Sequence, residues 1–119
     1  MKKKILQERL LKAIPGGAHT YSRGYDQFPH NAPEVLEKGK GSYVYDNNGN
    51  KYLDYGMALR AVNIGYSEKI INEAAINQIK LGNNLTRPSN IELEAAELVI
   101  KEIDSVDMVK FTKNGSTAV

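Results

Sequence analysis

Apolar residues at the start of the chain recur at helical spacing. Ile5, Leu6, Leu10, Leu11 and Ile14 fall on one side of a coil with 3.6 residues per turn, and charged residues fill the other side. The pattern predicts an amphipathic helix that Pro15-Gly16-Gly17 stops. Over residues 18–33 no period survives. Tyr21, Tyr25 and Phe28 are scattered there among His19, Arg23 and His30. Long irregular segments of this kind tend to carry function or to wrap another surface.

The alternation then shortens to strand length. Residues 35–38 predict a strand, Gly39-Lys40-Gly41 a turn, and residues 42–46 a second strand. Asn47-Asn48-Gly49-Asn50 supplies Asn-Gly residues able to take positive φ, and residues 51–55 return as a third strand. An antiparallel meander over residues 35–55 follows, with Tyr43, Tyr45, Tyr52 and Tyr55 packing across it. Asp46 and Asp54 are read as turn and strand-end residues, not as a carboxylate pair.

Residues 56–65 are apolar and glycine-bounded, with no assignable period. Ser67 is placed as the N-cap of a helix carrying Ile70, Ile71, Ala74, Ala75 and Ile79 and ending at Gly82. After a polar connector, Ser89-Asn90-Ile91-Glu92 has the form of a capping box. It opens a further helix through Leu93, Ala96, Leu98, Val99 and Ile103. Residues 106–112 predict a buried strand, which runs straight into Asn114-Gly115-Ser116-Thr117.

That junction reads as strand, turn and helix start. Backbone N–H groups at such a turn, with the Ser116 and Thr117 hydroxyls, suit a phosphate dianion, and Gly115 would let it approach without a Cβ in the way. Taken alone, such a string is most often a plain turn.

Composition narrows the classes. The formal charge is only +2, and Lys2, Lys3 and Lys4 contribute much of the excess. We read that run as the solvated start of the first helix. No other basic cluster argues for nucleic acid. Cysteine is absent, which removes disulfides, thiolate metal sites and cysteine nucleophiles and fits a cytoplasmic protein. No apolar stretch nears the roughly 18 residues of a membrane span, and Glu8 and Arg9 interrupt the first hydrophobic run, against a secretory signal. His19 and His30 lack metal-ligand spacing, so no metal site is expected. His19 is read as a loop residue beside a pocket and His30 as structural.

Several motifs occur together in one order. They are Ile14-Pro15-Gly16-Gly17, Arg23 six residues on, Gly39-Lys40-Gly41, the run from Tyr45 through Asp46-Asn47-Asn48-Gly49-Asn50-Lys51 to Tyr55, Gly65, Glu92 to Val99, and Val109 to Ser116. The series resembles the N-terminal part of class III pyridoxal-phosphate-dependent aminotransferases, in particular the glutamate-1-semialdehyde aminomutase group. The likeness covers nearly the whole chain from about Ile5.

The resemblance implies an α/β fold, the N-terminal segment of a fold-type I transferase. Its parts would be the amphipathic helix, the small antiparallel meander, two helices and the first strand of the large-domain sheet, incomplete on its own. Residues 1–64 would form the helix, loop and meander, and residues 65–119 the beginning of the large cofactor-binding domain. The family's reaction transfers an amino group to or within a small aldehyde or keto substrate. A transaminase of sugar or cell-surface biosynthesis, or a non-catalytic binding module, is the alternative. The catalytic lysine and the aspartate at the pyridine nitrogen lie downstream of these motifs in the family. No catalytic residue is therefore assigned, and the segment alone is expected to be inactive.

By the same resemblance Gly115, Ser116 and Asn114 stand where the family binds the phosphate of pyridoxal 5'-phosphate. Asn114 replaces a serine there, and Thr117 stands where glutamate is common. Arg23 matches the arginine that pairs with the substrate carboxylate, which a guanidinium holds through two parallel hydrogen bonds. On the residues alone, Arg23 reads equally as a surface arginine. Thr20 stands for a usual serine and Leu59 for an aromatic residue, with Arg60 beside it, so the substrate stays open. The small-molecule substrate, a homodimer and a cytoplasmic location complete what the resemblance implies.

Overall fold

Helix α1 (Ile5–Ala13) forms where the helical period predicts it. Its first amides have no partner inside the helix, and a distant residue supplies one: the Glu34 carboxylate accepts from the Gln7 N–H at 2.8 Å. A negative charge at this end also suits the helix dipole. Pro15 and two glycines in left-handed conformation, Gly16 and Gly17 (φ 71° and 73°), turn the chain away from the helix. This computed structural model describes residues 5–119, so the reading of Lys2, Lys3 and Lys4 lies outside the described residues. Two compact units are seen, one up to Ala75 and one from Ile76 to Val119.

In the first unit the irregular segment keeps only single 3-10 turns, among them Tyr21–Arg23 and Tyr25–Gln27. The meander follows as β1 (Leu36–Lys40), β2 (Tyr43–Asp46) and β3 (Lys51–Leu53), paired in that order and antiparallel throughout. A register slip between Leu36 and Lys38 makes Glu37 the extra residue of a bulge.

Strand side chains alternate, so one face carries Lys38, Lys40, Tyr43, Tyr45, Lys51 and Leu53 in cross-strand register. Lys51 Nζ lies 3.6 Å from the Tyr43 ring centroid, and Lys38 Nζ lies 5.0 Å from that of Tyr45. Tyr43 and Tyr45 thus meet lysine ammonium groups across the sheet, whereas Tyr52 belongs to the opposite face with Val44 and Asp46. Tyr55 lies beyond β3 and is exposed.

The other face buries Val44 (8% exposed) and Asp46 (6%). Asp46 is satisfied completely. Its Oδ1 accepts from the backbone N–H of Asn48 (2.9 Å) and Asn50 (2.8 Å), and its Oδ2 from Asn50 Nδ2 (2.8 Å) and the Tyr52 hydroxyl (3.0 Å). These bonds, that of the Asn50 side chain foremost, hold the carboxyl below its ordinary value although burial works the other way. Donation to Asp46 in turn raises the Tyr52 phenol. Among the four loop residues that follow, Gly49 alone takes positive φ (80°).

Helix α2 (Lys69–Lys80) starts one residue later than a Ser67 cap would place it. Ser67 has φ 56°, outside the extended region an N-cap uses, and its hydroxyl donates to the Gly39 carbonyl at 2.9 Å instead. The far end behaves as expected, with Gly82 at φ 99°. Helix α3 (Asn90–Glu102) opens on its capping sequence. There the Glu92 carboxylate accepts from the Ser89 N–H at 2.6 Å and from the Ser89 hydroxyl at 3.2 Å.

Residues 106–112 differ from expectation. They pair with no strand among the described residues, and Met108 is 89% exposed. A strand needs a ladder partner to satisfy its backbone, and the only strands described belong to the meander. No helix among the described residues is long and apolar enough to cross a membrane. The apolar side chains of both long helices are also exposed, Ile70, Ile79, Leu93 and Leu98 among them. Exposed apolar surface of that kind drives association. The 119-residue chain by itself is therefore expected to self-associate in sedimentation; a sharp monomer with cooperative melting would overturn this.

Candidate functional site

The functional geometry of the first unit gathers where the chain leaves β3. Tyr66 returns to the meander and pairs with Gly41: the Gly41 N–H donates to the Tyr66 carbonyl at 2.9 Å, and the Tyr66 N–H donates back at 2.8 Å. Close approach is bought with glycine on both sides. A Cβ on Gly39 would meet the Tyr66 ring at 2.5–2.8 Å, and one on Gly65 (φ 98°) would meet Gly41 Cα at 3.1 Å.

From this seat the Tyr66 hydroxyl donates to Asp54 Oδ2 at 2.7 Å. Asp54 Oδ1 accepts from the backbone N–H of Gly56 (2.8 Å) and Met57 (3.0 Å). The Tyr66 bond is the main reason the Asp54 carboxyl sits below its ordinary value, helped by the Met57 and Gly56 amides and opposed by burial. The same bond, burial and the Asp54 charge raise the Tyr66 phenol, while the Arg23 charge works against the rise. The linkage sign is fixed by these directions. The bond's contribution is present above 3.8 and below 10.0. It is lost as pH falls through the lowered carboxyl value or rises through the raised phenol value.

Beyond Asp54 the backbone turns left-handed at four successive non-glycine residues: Met57 (φ 42°), Ala58 (51°), Leu59 (57°) and Arg60 (71°). Each such residue costs about 1–2 kcal/mol. The turn is closed by the Arg60 N–H donating to the Gly56 carbonyl (3.0 Å) and the Val62 N–H to that of Met57 (3.1 Å). Leu59, one of the candidate substrate residues, sits at its centre and is 78% exposed.

Thr20 and Arg23 belong to a single 3-10 turn, where the Arg23 N–H donates to the Thr20 carbonyl at 3.1 Å. Arg23 is exposed, and its guanidinium makes no ion pair among the described residues. An open hollow of about 390 Å³ lies beside this turn, lined by Leu11, Pro15, His19, Thr20, Tyr21 and Asp26 among others. No group of three His, Cys, Asp or Glu among the described residues could hold a metal.

Asn114, Gly115 and Ser116 lie in the second unit, at the start of a short 3-10 turn (Gly115–Thr117). Asn114 caps it: its Oδ1 accepts from the Thr117 N–H at 3.0 Å, and its backbone carbonyl accepts from the Thr117 hydroxyl at 3.0 Å. The Gly115 and Ser116 amides make no bond among the described residues. Nothing lies within 4 Å of where a Cβ on Gly115 would stand. Two amides and one exposed hydroxyl beside an open glycine fit a phosphate group. Thr117 is committed to Asn114 and adds little.

The family description for class III aminotransferases matches residues 21–119, and the chain belongs to that family. Among curated relatives, the glutamate-1-semialdehyde 2,1-aminomutase of Methanosphaera stadtmanae is 35% identical over 98% of this chain and 27% of its own length. That of Campylobacter hominis is 34% identical over 91% of the chain and 24% of its length. The Sphingopyxis sp. FumI protein, solved in a pyridoxal-phosphate form, superposes with a TM-score of 0.88 at 32% identity, covering 97% of this chain and 28% of that one. An omega-transaminase from Sphaerobacter thermophilus gives 0.84 at 29% identity, over 96% and 25%. The chain thus spans about a quarter of the length of the relatives it matches.

Sequence reasoning missed Tyr66 altogether and read Asp54 only as a strand end. The one available signal was the glycine set Gly39, Gly41 and Gly65, which makes room for a ring and a backbone pairing. Gly39→Ala is expected to push the Tyr66 ring away and break its bond to Asp54. In an NMR titration of labelled tyrosines, the Tyr66 phenol should then fall back toward 10.0. An unchanged titration would show that the ring's seat on Gly39 does not matter.

Proposed function

We propose that this chain is part of a pyridoxal-phosphate-dependent aminotransferase or aminomutase acting on a small aldehyde or keto compound. The supporting observation is the Asn114-Gly115-Ser116 turn, open over Gly115 and with two amides that make no bond among the described residues, in a chain of the class III family. When bound, the cofactor supplies an electron sink for moving an amino group. In this reading the Gly115 and Ser116 amides and the Ser116 hydroxyl hold its phosphate, and Asn114 keeps the turn in shape by binding Thr117. Arg23, exposed and without an ion-pair partner among the described residues, takes a substrate carboxylate, with Thr20 beside it in the same turn. The chain carries no assigned catalytic lysine, so this segment alone is expected to be inactive. The working enzyme is a cytoplasmic homodimer.

Leu59 favours a second reading of the substrate. An exposed leucine with Arg60 beside it, where the aminomutases carry an aromatic residue, suits a transaminase for a different and more anionic carbonyl compound, such as one of sugar or cell-surface biosynthesis.

The full-length protein is expected to give a lysine adduct with the cofactor that borohydride reduces. Ser116→Ala should weaken cofactor binding by about tenfold, the loss of one hydrogen bond to a charged group. Arg23→Lys should raise KM roughly tenfold for substrates bearing a carboxylate and leave those without one unchanged. A full-length protein that binds no pyridoxal phosphate would end this reading.

A further inference from the structure

The strained turn at residues 57–60 has few means of support. Its own bonds run from the Arg60 N–H to the Gly56 carbonyl (3.0 Å), from Ala61 to Ala58 (3.3 Å) and from Val62 to Met57 (3.1 Å), and every one of their donors lies at or beyond the last left-handed residue. The entry to the turn is set by one group outside it, the Asp54 carboxylate on the Gly56 and Met57 amides. A conformation disfavoured at four residues in a row persists only where its surroundings over-determine it.

Asp54 is itself held at both ends. Its N–H donates to the Ser42 carbonyl at 2.9 Å, and its second oxygen accepts from Tyr66. Tyr66 in turn is fixed by its two backbone bonds to Gly41 and by its ring on Gly39. A continuous line of short bonds therefore runs from the sheet through Tyr66 and Asp54 to the turn that carries Leu59 and Arg60. Removing the middle of the line lets the backbone relax toward negative φ and carries both side chains with it.

We propose that Asp54 and Tyr66 form a latch that keeps residues 57–60 left-handed, making both of them positioning residues that set, through Leu59, the size of the carbonyl substrate accepted. This rests on the function proposed above only in its last step. The latch itself is a property of the fold and is read without any reaction.

The test uses the full-length protein loaded with pyridoxal phosphate. Trypsin cleavage after Arg60 and hydrogen exchange at the Gly56 and Met57 amides report the turn. The ratio of kcat/KM for hydrocinnamaldehyde to that for acetaldehyde reports the pocket. Tyr66→Phe keeps the ring on Gly39 and the backbone pairing while removing only the hydroxyl. Asp54→Ala removes the carboxylate, and Asp54→Asn restores an acceptor for the amides and a donor for the Tyr66 oxygen.

Tyr66→Phe and Asp54→Ala should each speed cleavage and exchange by roughly tenfold and shift the aldehyde ratio several-fold, and Asp54→Asn should recover most of both. Should Asp54→Ala fail to fold, Tyr66→Phe still decides. Unchanged cleavage and exchange in a folded Tyr66→Phe protein would overturn the latch. Faster cleavage with an unchanged aldehyde ratio would overturn the positioning role. A wild-type protein that takes neither aldehyde nor any other carbonyl compound would overturn the proposed function, and the cleavage rates would still judge the latch.

Discussion

Asp46 sits almost wholly out of solvent at the end of β2, and a carboxylate in that position costs free energy unless its acceptor sites are filled. Four donors fill them: two backbone amides of the following loop, the Asn50 side chain and the Tyr52 hydroxyl. The loop closes because the carboxylate needs those amides, and β3 returns in register because Tyr52 must reach the same group from the neighbouring strand. With only Val44 buried beside it, the meander has no apolar core of its own to hold it. Its order comes from satisfied polar groups.

A second aspartate repeats the device where the sheet ends. Asp54 gathers two amides and a tyrosine hydroxyl, and the tyrosine is seated by glycines that admit its ring and backbone. Asp46 closes the sheet upon itself, whereas Asp54 passes the sheet's rigidity outward into a turn that non-glycine residues would not adopt unaided. Strain of this sort is kept where position matters. In this chain it falls at residues 57–60, the stretch that carries Leu59.

The two long helices are organised differently. Helices α2 and α3 are well terminated, by Gly82 at one end and by the Ser89–Glu92 pair at the other, but their apolar residues are exposed. Capping and periodicity are enough to shape a helix without supplying anything for its face to pack against. The matched relatives are about four times as long as this chain. The apolar faces of both helices are open, and residues 106–112 pair with no strand among the described residues.

Local chemistry made much of this legible in the residues alone. The 3.6 and 2.0 periods, the Asn-Gly loop, Pro15-Gly16-Gly17 and the capping pair each act over a few neighbours, so α1, the three strands, α2 and α3 could be read before any coordinates. So could the open turn at Asn114-Gly115-Ser116. Tertiary structure alone decided the rest. Ser67 looks like a cap by sequence, but the pairing of Gly41 with the distant Tyr66 draws its hydroxyl to Gly39 instead. Residues 106–112 have the composition of a strand, yet a strand exists only with a neighbour to bond. The left-handed run at residues 57–60 contradicts every local preference of Met, Ala, Leu and Arg. It arises from contacts to Asp54 and, through Tyr66, to a sheet strand far away in sequence, which no local pattern encodes.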